Sequence, residues 1–196
     1  MKEAVMPVIS FATSKGGAGK TTSTIVLGTE LAEGTQVLLI DADPAKRLTR
    51  WSTLAALPPS LSVVTSQGER YIQDEISNAQ SKATFVLIDL EGSASRLTSF
   101  AIAESDLVII PSGEEQQDAD AAIETLSEIE MEARARRRAI PAAILFARTA
   151  AAVKSKLEKH IHAELSKVGR VMNTELHRRT AFSSLHNAGG GLRQLD

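Results

Sequence analysis

Residues 15–22 read Lys-Gly-Gly-Ala-Gly-Lys-Thr-Thr, a run in which glycines let the main chain close on an anion while two lysines supply charge. It follows the apolar stretch 8–12 and precedes a helix-like stretch, 20–33. Strand, glycine turn and helix is the arrangement in which N–H groups at a helix N-terminus hold phosphates. Side chains at Gly16, Gly17 and Gly19 would block close approach to a pyrophosphate, so the main chain from Gly16 through Ala18 to Thr22 is the candidate cradle. Lys20 is placed to reach the β- and γ-phosphates of a nucleoside triphosphate, and the Thr21 hydroxyl to ligate Mg²⁺. The pattern G-x-x-x-x-G-K-[ST] narrowly fails. Ser14 stands where its first glycine belongs, and a second lysine, Lys15, opens the loop.

Carboxylates follow at intervals that fit the same chemistry. Asp41-Ala42-Asp43-Pro44 closes the apolar run 37–40, and Asp89 closes Phe85-Val86-Leu87-Ile88. In a parallel sheet both runs end on the edge that carries the glycine loop, where a carboxylate can hold Mg²⁺ through its water ligands. One Asp after an apolar run is commonly a turn cap. Three on one edge, after such a loop, read as a metal and phosphate site.

The elements that must position these groups alternate. Strands are expected at 5–12, 36–41, 62–65, 84–89, 106–110, 140–147 and 170–173. Helices are expected at 20–33, 68–80, 94–103, 116–137, 151–167 and 178–187. Continuous apolar runs are the mark of parallel strands covered on both faces. The fold class is therefore α/β, a doubly wound, mostly parallel sheet flanked by helices, with ligands at the carboxyl ends of the strands. The 196 residues are expected to form a single domain. Pro58-Pro59 and Gly189-Gly190-Gly191 read as local breakers. There is no cysteine, which excludes a thiol nucleophile and a cysteine metal site. No apolar run approaches the roughly 20 residues of a membrane span, and no signal-peptide pattern opens the chain, so a cytoplasmic protein is expected.

With these residues quoted, the chain resembles the ParA-type partition ATPases of the ParA/MinD group. Their glycine loop is the deviant Walker A, and the likeness is to the small ParF-like plasmid kind. It covers residues 5–187, anchored by Lys15–Thr22, Asp41–Pro44 with Leu48-Thr49-Arg50-Trp51, Asp89 with Gly92-Ser93, and 105–111. The resemblance implies an ATP-sandwich homodimer in which Lys15 reaches the partner's phosphates while Lys20 and Thr21 serve their own subunit. It gives Asp43 the attacking water, Asp41 and Asp89 the metal shell, and the segment after Pro111 a switch role. Departures are Pro44-Ala45-Lys46-Arg47 in place of Asp-Pro-Gln-Gly, and the acidic run after Pro111. With only a few residues before the first strand, the helix-turn-helix domain of the larger relatives is not expected. The end of the chain lacks the final helix that relatives carry, so it is expected to be short or truncated.

Charge is unevenly spread. Residues 1–132 hold 9 Lys+Arg against 20 Asp+Glu, whereas 133–196 hold 13 against 4. A basic C-terminal third suits a polyanion, and the resemblance implies non-specific duplex DNA. Candidate contacts are Arg148, Lys154, Arg178 and Arg179, with Arg134 and Arg136–Arg138 at a helix end. The single Trp and single Tyr lie outside this region, against single-strand recognition by stacking. The implied partners are nucleoid DNA and a ParB-type centromere-binding protein, and the implied cofactors are ATP/ADP and Mg²⁺. Other outputs for the same switch are VirC1-like conjugative transfer and MinD-like positioning. The latter needs a C-terminal amphipathic helix that Gly189–Asp196 cannot form.

Overall fold

Apolar runs of four to eight residues become six of the seven strands of one sheet in the structure, a computed structural model that describes residues 6–150 and 155–194. The strands are β1 (Val8–Phe11), β2 (Val37–Ala42), β3 (Leu61–Thr65), β4 (Phe85–Leu90), β5 (Leu107–Ser112), β6 (Ala142–Thr149) and β7 (Leu176–His177). Between them lie α1 (Lys20–Ala32), α2 (Arg47–Ser52), α3 (Ile72–Gln80), α4 (Arg96–Glu104), α5 (Gln116–Arg136), α6 (Lys156–Val168) and α7 (Thr180–Ala188). The order across the sheet is β3-β2-β4-β1-β5-β6-β7, and every pairing is parallel. This is the expected α/β architecture.

Both faces are covered, which is why the strand sequences need no polar alternation. On one face Leu38, Ile40, Val86 and Ile88 pack with Ile72 and Ile76 of α3, Ile102 of α4, Ile129 of α5 and Ile161 of α6. On the other, Val37, Leu39 and Leu87 pack with Ile25 of α1, Leu48 and Trp51 of α2, and Leu185 of α7. By the two-residue period of a strand, Asp41 and Asp89 belong to this second face. The register sets them side by side, Asp41 opposite Asp89 and Asp89 opposite Phe11.

Two elements differ from expectation. Helix α2, six residues long, was not foreseen, because a segment this short has no periodicity of its own to read. It exists through tertiary contacts: Leu48 and Trp51 are fully buried, and the Asp41 carboxylate accepts from both the N–H and the hydroxyl of Thr49, each at 2.7 Å. The strand expected at 170–173 shrinks to one bridge, Val171 with Ile144. Pairing resumes only at Leu176–His177, after a register shift between Ala147 and Thr149. Arg148, at the shift, has φ 63°, the left-handed backbone of a bulge.

The glycine triplet is a packing surface as well as a breaker. A Cβ on Gly189 would lie 2.8 Å from the Ala55 nitrogen, and one on Gly191 would lie 3.0 Å from Thr29. The Trp51 indole donates to the Gly190 carbonyl at 3.1 Å, tying the chain's end to α2.

Candidate functional site

The loop between β1 and α1 is shaped by its glycines. Gly17 (φ 76°) and Gly19 (φ 103°) take conformations that residues with a Cβ rarely adopt. Gly19 is the N-cap of α1 and offers no side-chain cap, so the first N–H groups of the helix are left for a ligand. Lys20, the first helical residue, is buried, and its ammonium donates to the Lys15 carbonyl at 3.1 Å. Burial lowers its pKa most; the Arg47 charge lowers it further, while Asp89, Asp43 and Glu91 raise it. From the sheet side, Gly92 closes on this loop. A Cβ there would come within 2.9 Å of the Gly16 nitrogen, so the segment after β4 touches the loop backbone to backbone.

Asp89 is fully buried, and its carboxylate oxygens, with the Thr21 hydroxyl beside them, make no well-formed hydrogen bond. Burial pushes its pKa up to about 7, with Asp41 and Asp43 adding to the rise and the neighbouring Thr21 hydroxyl and Lys20 opposing it. A buried, unsatisfied carboxylate beside a hydroxyl is costly unless a cation joins it. Thr21 and Asp89 therefore fit a Mg²⁺ ion, which binds through one or two protein oxygens and completes its shell with water and phosphate. Among the described residues no three His, Asp or Glu side chains form a metal cluster of their own. Asp41 is also buried, but its oxygens are committed: one accepts twice from Thr49 and the other from the Asp43 N–H at 3.3 Å. In this structure it holds the turn that carries Asp43. Asp43 is half-buried and accepts from the Ala45 N–H at 2.8 Å. It lines a cavity of about 170 Å³ with Gly16, Gly17, Gly19, Lys20, Thr21 and Thr22.

Lys15 and Lys20 point differently. The Lys15 ammonium pairs with Asp118 in the first turn of α5 at 2.6 Å. Ser14, where a glycine was expected, anchors the front of the loop to the same helix through Thr125 and the Ala121 carbonyl. Asp118 went unnoticed in the sequence because only the fold brings it, 103 residues away, to the loop.

A second cavity of about 300 Å³ adjoins the loop, lined by Gly19, Thr22, Ala147, Leu176, Phe182 and His186, among others. More apolar than polar and next to the phosphate cradle, it suits a nucleoside. Beside Gly19 and Thr22, its apolar wall comes from Ala147 of β6, Leu176 of β7 and Phe182 of α7, with His186 of α7, residues that carry no local pattern, so sequence reasoning missed them. His186 bonds the Thr22 hydroxyl at 2.8 Å. Burial, then the Arg47 charge, lowers the His186 pKa.

Of the four residues expected to meet DNA, Arg148, Arg178 and Arg179 line this cavity, and Arg148 donates to the Gly17 carbonyl. Lys154 lies outside the described residues. Along α5, Arg134 pairs with Glu130 at 3.0 Å. Arg138 donates to the Ala103 and Ser105 carbonyls, each at 2.8 Å. No helix among the described residues is long and apolar enough to cross a membrane.

Comparison with known proteins agrees with this geometry. The family described as VirC1 protein matches residues 6–192. The chain is 38% identical over 192 residues to Protein ParA of Rhizobium radiobacter, covering 97% of this chain and 86% of that one. It is 30% identical over 190 residues to Protein virC1 of the same organism, covering 94% and 82%. An ATP complex of Cyanothece McdA superposes with a TM-score of 0.81 at 16% identity, covering 95% of this chain and 89% of the other, a likeness of fold.

Proposed function

We propose, from the premise that this chain belongs to the VirC1 family of ParA-type ATPases, that it is a Mg·ATP-driven dimerisation switch acting on DNA. The observation that carries this reading is the buried, unsatisfied Asp89 beside Thr21 at the open N-terminus of α1. That constellation recognises a metal-bound polyphosphate and little else.

In this reading the loop N–H groups and Lys20 bind the β- and γ-phosphates, and Thr21 with Asp89 holds the ion. Bound Mg²⁺ supplies charge that stabilises the phosphoryl oxygens during transfer. Asp43 orients the attacking water and receives its proton. Water oxygen bonds to the γ-phosphorus, the bond to the β–γ bridging oxygen breaks, and ADP and phosphate leave. Lys15 exchanges Asp118 for the partner subunit's phosphates when two copies close on ATP, so dimerisation competes with an ion pair already present. The basic C-terminal third of the closed dimer binds duplex DNA without sequence preference, and a ParB-type partner stimulates hydrolysis and release. The cargo is plasmid DNA to be partitioned. Because the matching family is VirC1, a second output is recruitment of transfer DNA during conjugation, with the same switch.

The test is duplex-DNA binding with ATP, ADP or no nucleotide across a salt series, beside Asp43→Ala. Binding that needs ATP, ignores sequence, weakens steeply with salt and persists longer in the variant is the expected result. An ATP-bound dimer that ignores DNA at low salt overturns it.

A further inference from the structure

We propose that Arg47 is a phosphate-binding residue, closing over the nucleotide's polyphosphate from the α2 side with charge that the glycine loop does not supply. The proposal rests on the nucleotide-binding reading above and adds to it a group from a different segment.

Arg47 lines the same cavity as Lys20, Thr21 and Asp43. It reaches that place through a strained turn. Lys46, immediately before it, has φ 50° and ψ 42°, left-handed backbone that costs a residue with a Cβ about 1 kcal/mol or more. The turn is held by the Lys46 N–H on the Asp43 carbonyl at 2.9 Å and by the Ala45 N–H on the Asp43 carboxylate at 2.8 Å. Strain kept in place by specific bonds points to a use for the residue it presents. Helix α2 does not need the guanidinium for its own stability, because Leu48, Trp51 and Thr49 anchor it.

The charge balance points the same way. Among the described residues, no ion pair or hydrogen bond engages the exposed Arg47 side chain. Its charge is felt instead by two groups on the cavity wall, Lys20 and His186. Lys20, Arg47 and Arg148 line the cavity with the carboxylate of Asp43, while Asp89 and Glu91 act on Lys20 from nearby. A guanidinium that faces the cavity with no protein partner is open to an anion, and it binds phosphate oxygens in pairs.

The experiment measures binding of mant-ATPγS, a fluorescent and slowly hydrolysed analogue, to the full chain. Wild type, Arg47→Ala, Arg47→Lys and Lys20→Ala are compared, with the Tm of each nucleotide-free protein. Arg47→Ala is expected to bind about tenfold more weakly at an unchanged Tm, and Arg47→Lys to recover part of the loss. Wild-type affinity in Arg47→Ala, with binding lost in Lys20→Ala, overturns the role of Arg47 and leaves the nucleotide reading standing. A weaker Arg47→Ala whose Tm also falls and which Lys does not rescue makes the residue structural and equally overturns the proposal. Failure of the wild type to bind the analogue removes the parent reading itself.

Discussion

The floor of the cleft and its C-terminal wall differ in how their side chains are held. On the floor, Lys20, Thr21, Asp41 and Asp89 are each less than a tenth exposed, and glycine backbones meet without room for a methyl group. On the wall, Arg148, Arg178 and Arg179 are exposed, and Arg148 is attached to the loop by a single bond to a carbonyl. Groups on the floor are placed by the same packing that folds the sheet. Those on the wall project from the bulged end of β6 and from the link between β7 and α7, so they can rearrange without disturbing the core. Substitutions on the floor should therefore change binding and folding together, and those on the wall binding alone.

The largest expected effect is Lys20→Ala, which removes a buried cation from the phosphate cradle and should weaken ATP binding on the order of a hundredfold in a nucleotide titration. Asp89→Asn comes next and acts through pH. The folded-state pKa of Asp89, about 7, lies above its ordinary value of 3.8. The folded protein thus holds the extra proton between these values, and stability falls as pH rises towards 7. The stability advantage of the nucleotide-free variant over wild type should grow by about 2–3 kcal/mol between pH 5 and pH 8. Urea unfolding at the two pH values reads this directly, and an unchanged pH slope would show that Asp89 does not titrate there.

Gly92→Ala sharpens the comparison further. Its Cβ meets main chain rather than a flexible tip, so it should cost about 1–3 kcal/mol in unfolding and also weaken ATP binding. Asp118→Ala, at the boundary of floor and wall, should lose about 1 kcal/mol or less of stability. It should also lower the ATP concentration needed for dimerisation, measured by light scattering, because Lys15 is released. Smallest is Arg179→Ala, expected to leave stability within about 0.5 kcal/mol while weakening nucleotide binding a few-fold. If Arg179→Ala unfolds the protein as Gly92→Ala does, the distinction between floor and wall fails.

The floor was legible in the sequence and the wall was not, for a physical reason. Glycines, lysines and the Asp that ends each apolar run lie next to the backbone features that give them meaning, so spacing alone points to the loop and to Asp89. The cavity beside the loop gathers Gly19, Ala147, Leu176 and His186 from four separate segments. Arg148 and Arg179 read as members of a basic stretch because net charge says nothing about direction. Helix α2 was invisible for a related reason: its first turn is tied down by Asp41, a residue that otherwise reads as a metal ligand, through its bonds to Thr49.

Trp51 is the chain's single tryptophan, and its place gives the molecule a built-in optical reporter. The indole is sealed in the core, with its N–H on the Gly190 carbonyl, four residues beyond the arginine that opens α2. Any movement of α2 against the glycine triplet alters the polarity and quenching around that ring. Emission from the unmodified protein, followed through a rapid mix with nucleotide, would time the motion without a dye, and no second indole would blur the trace.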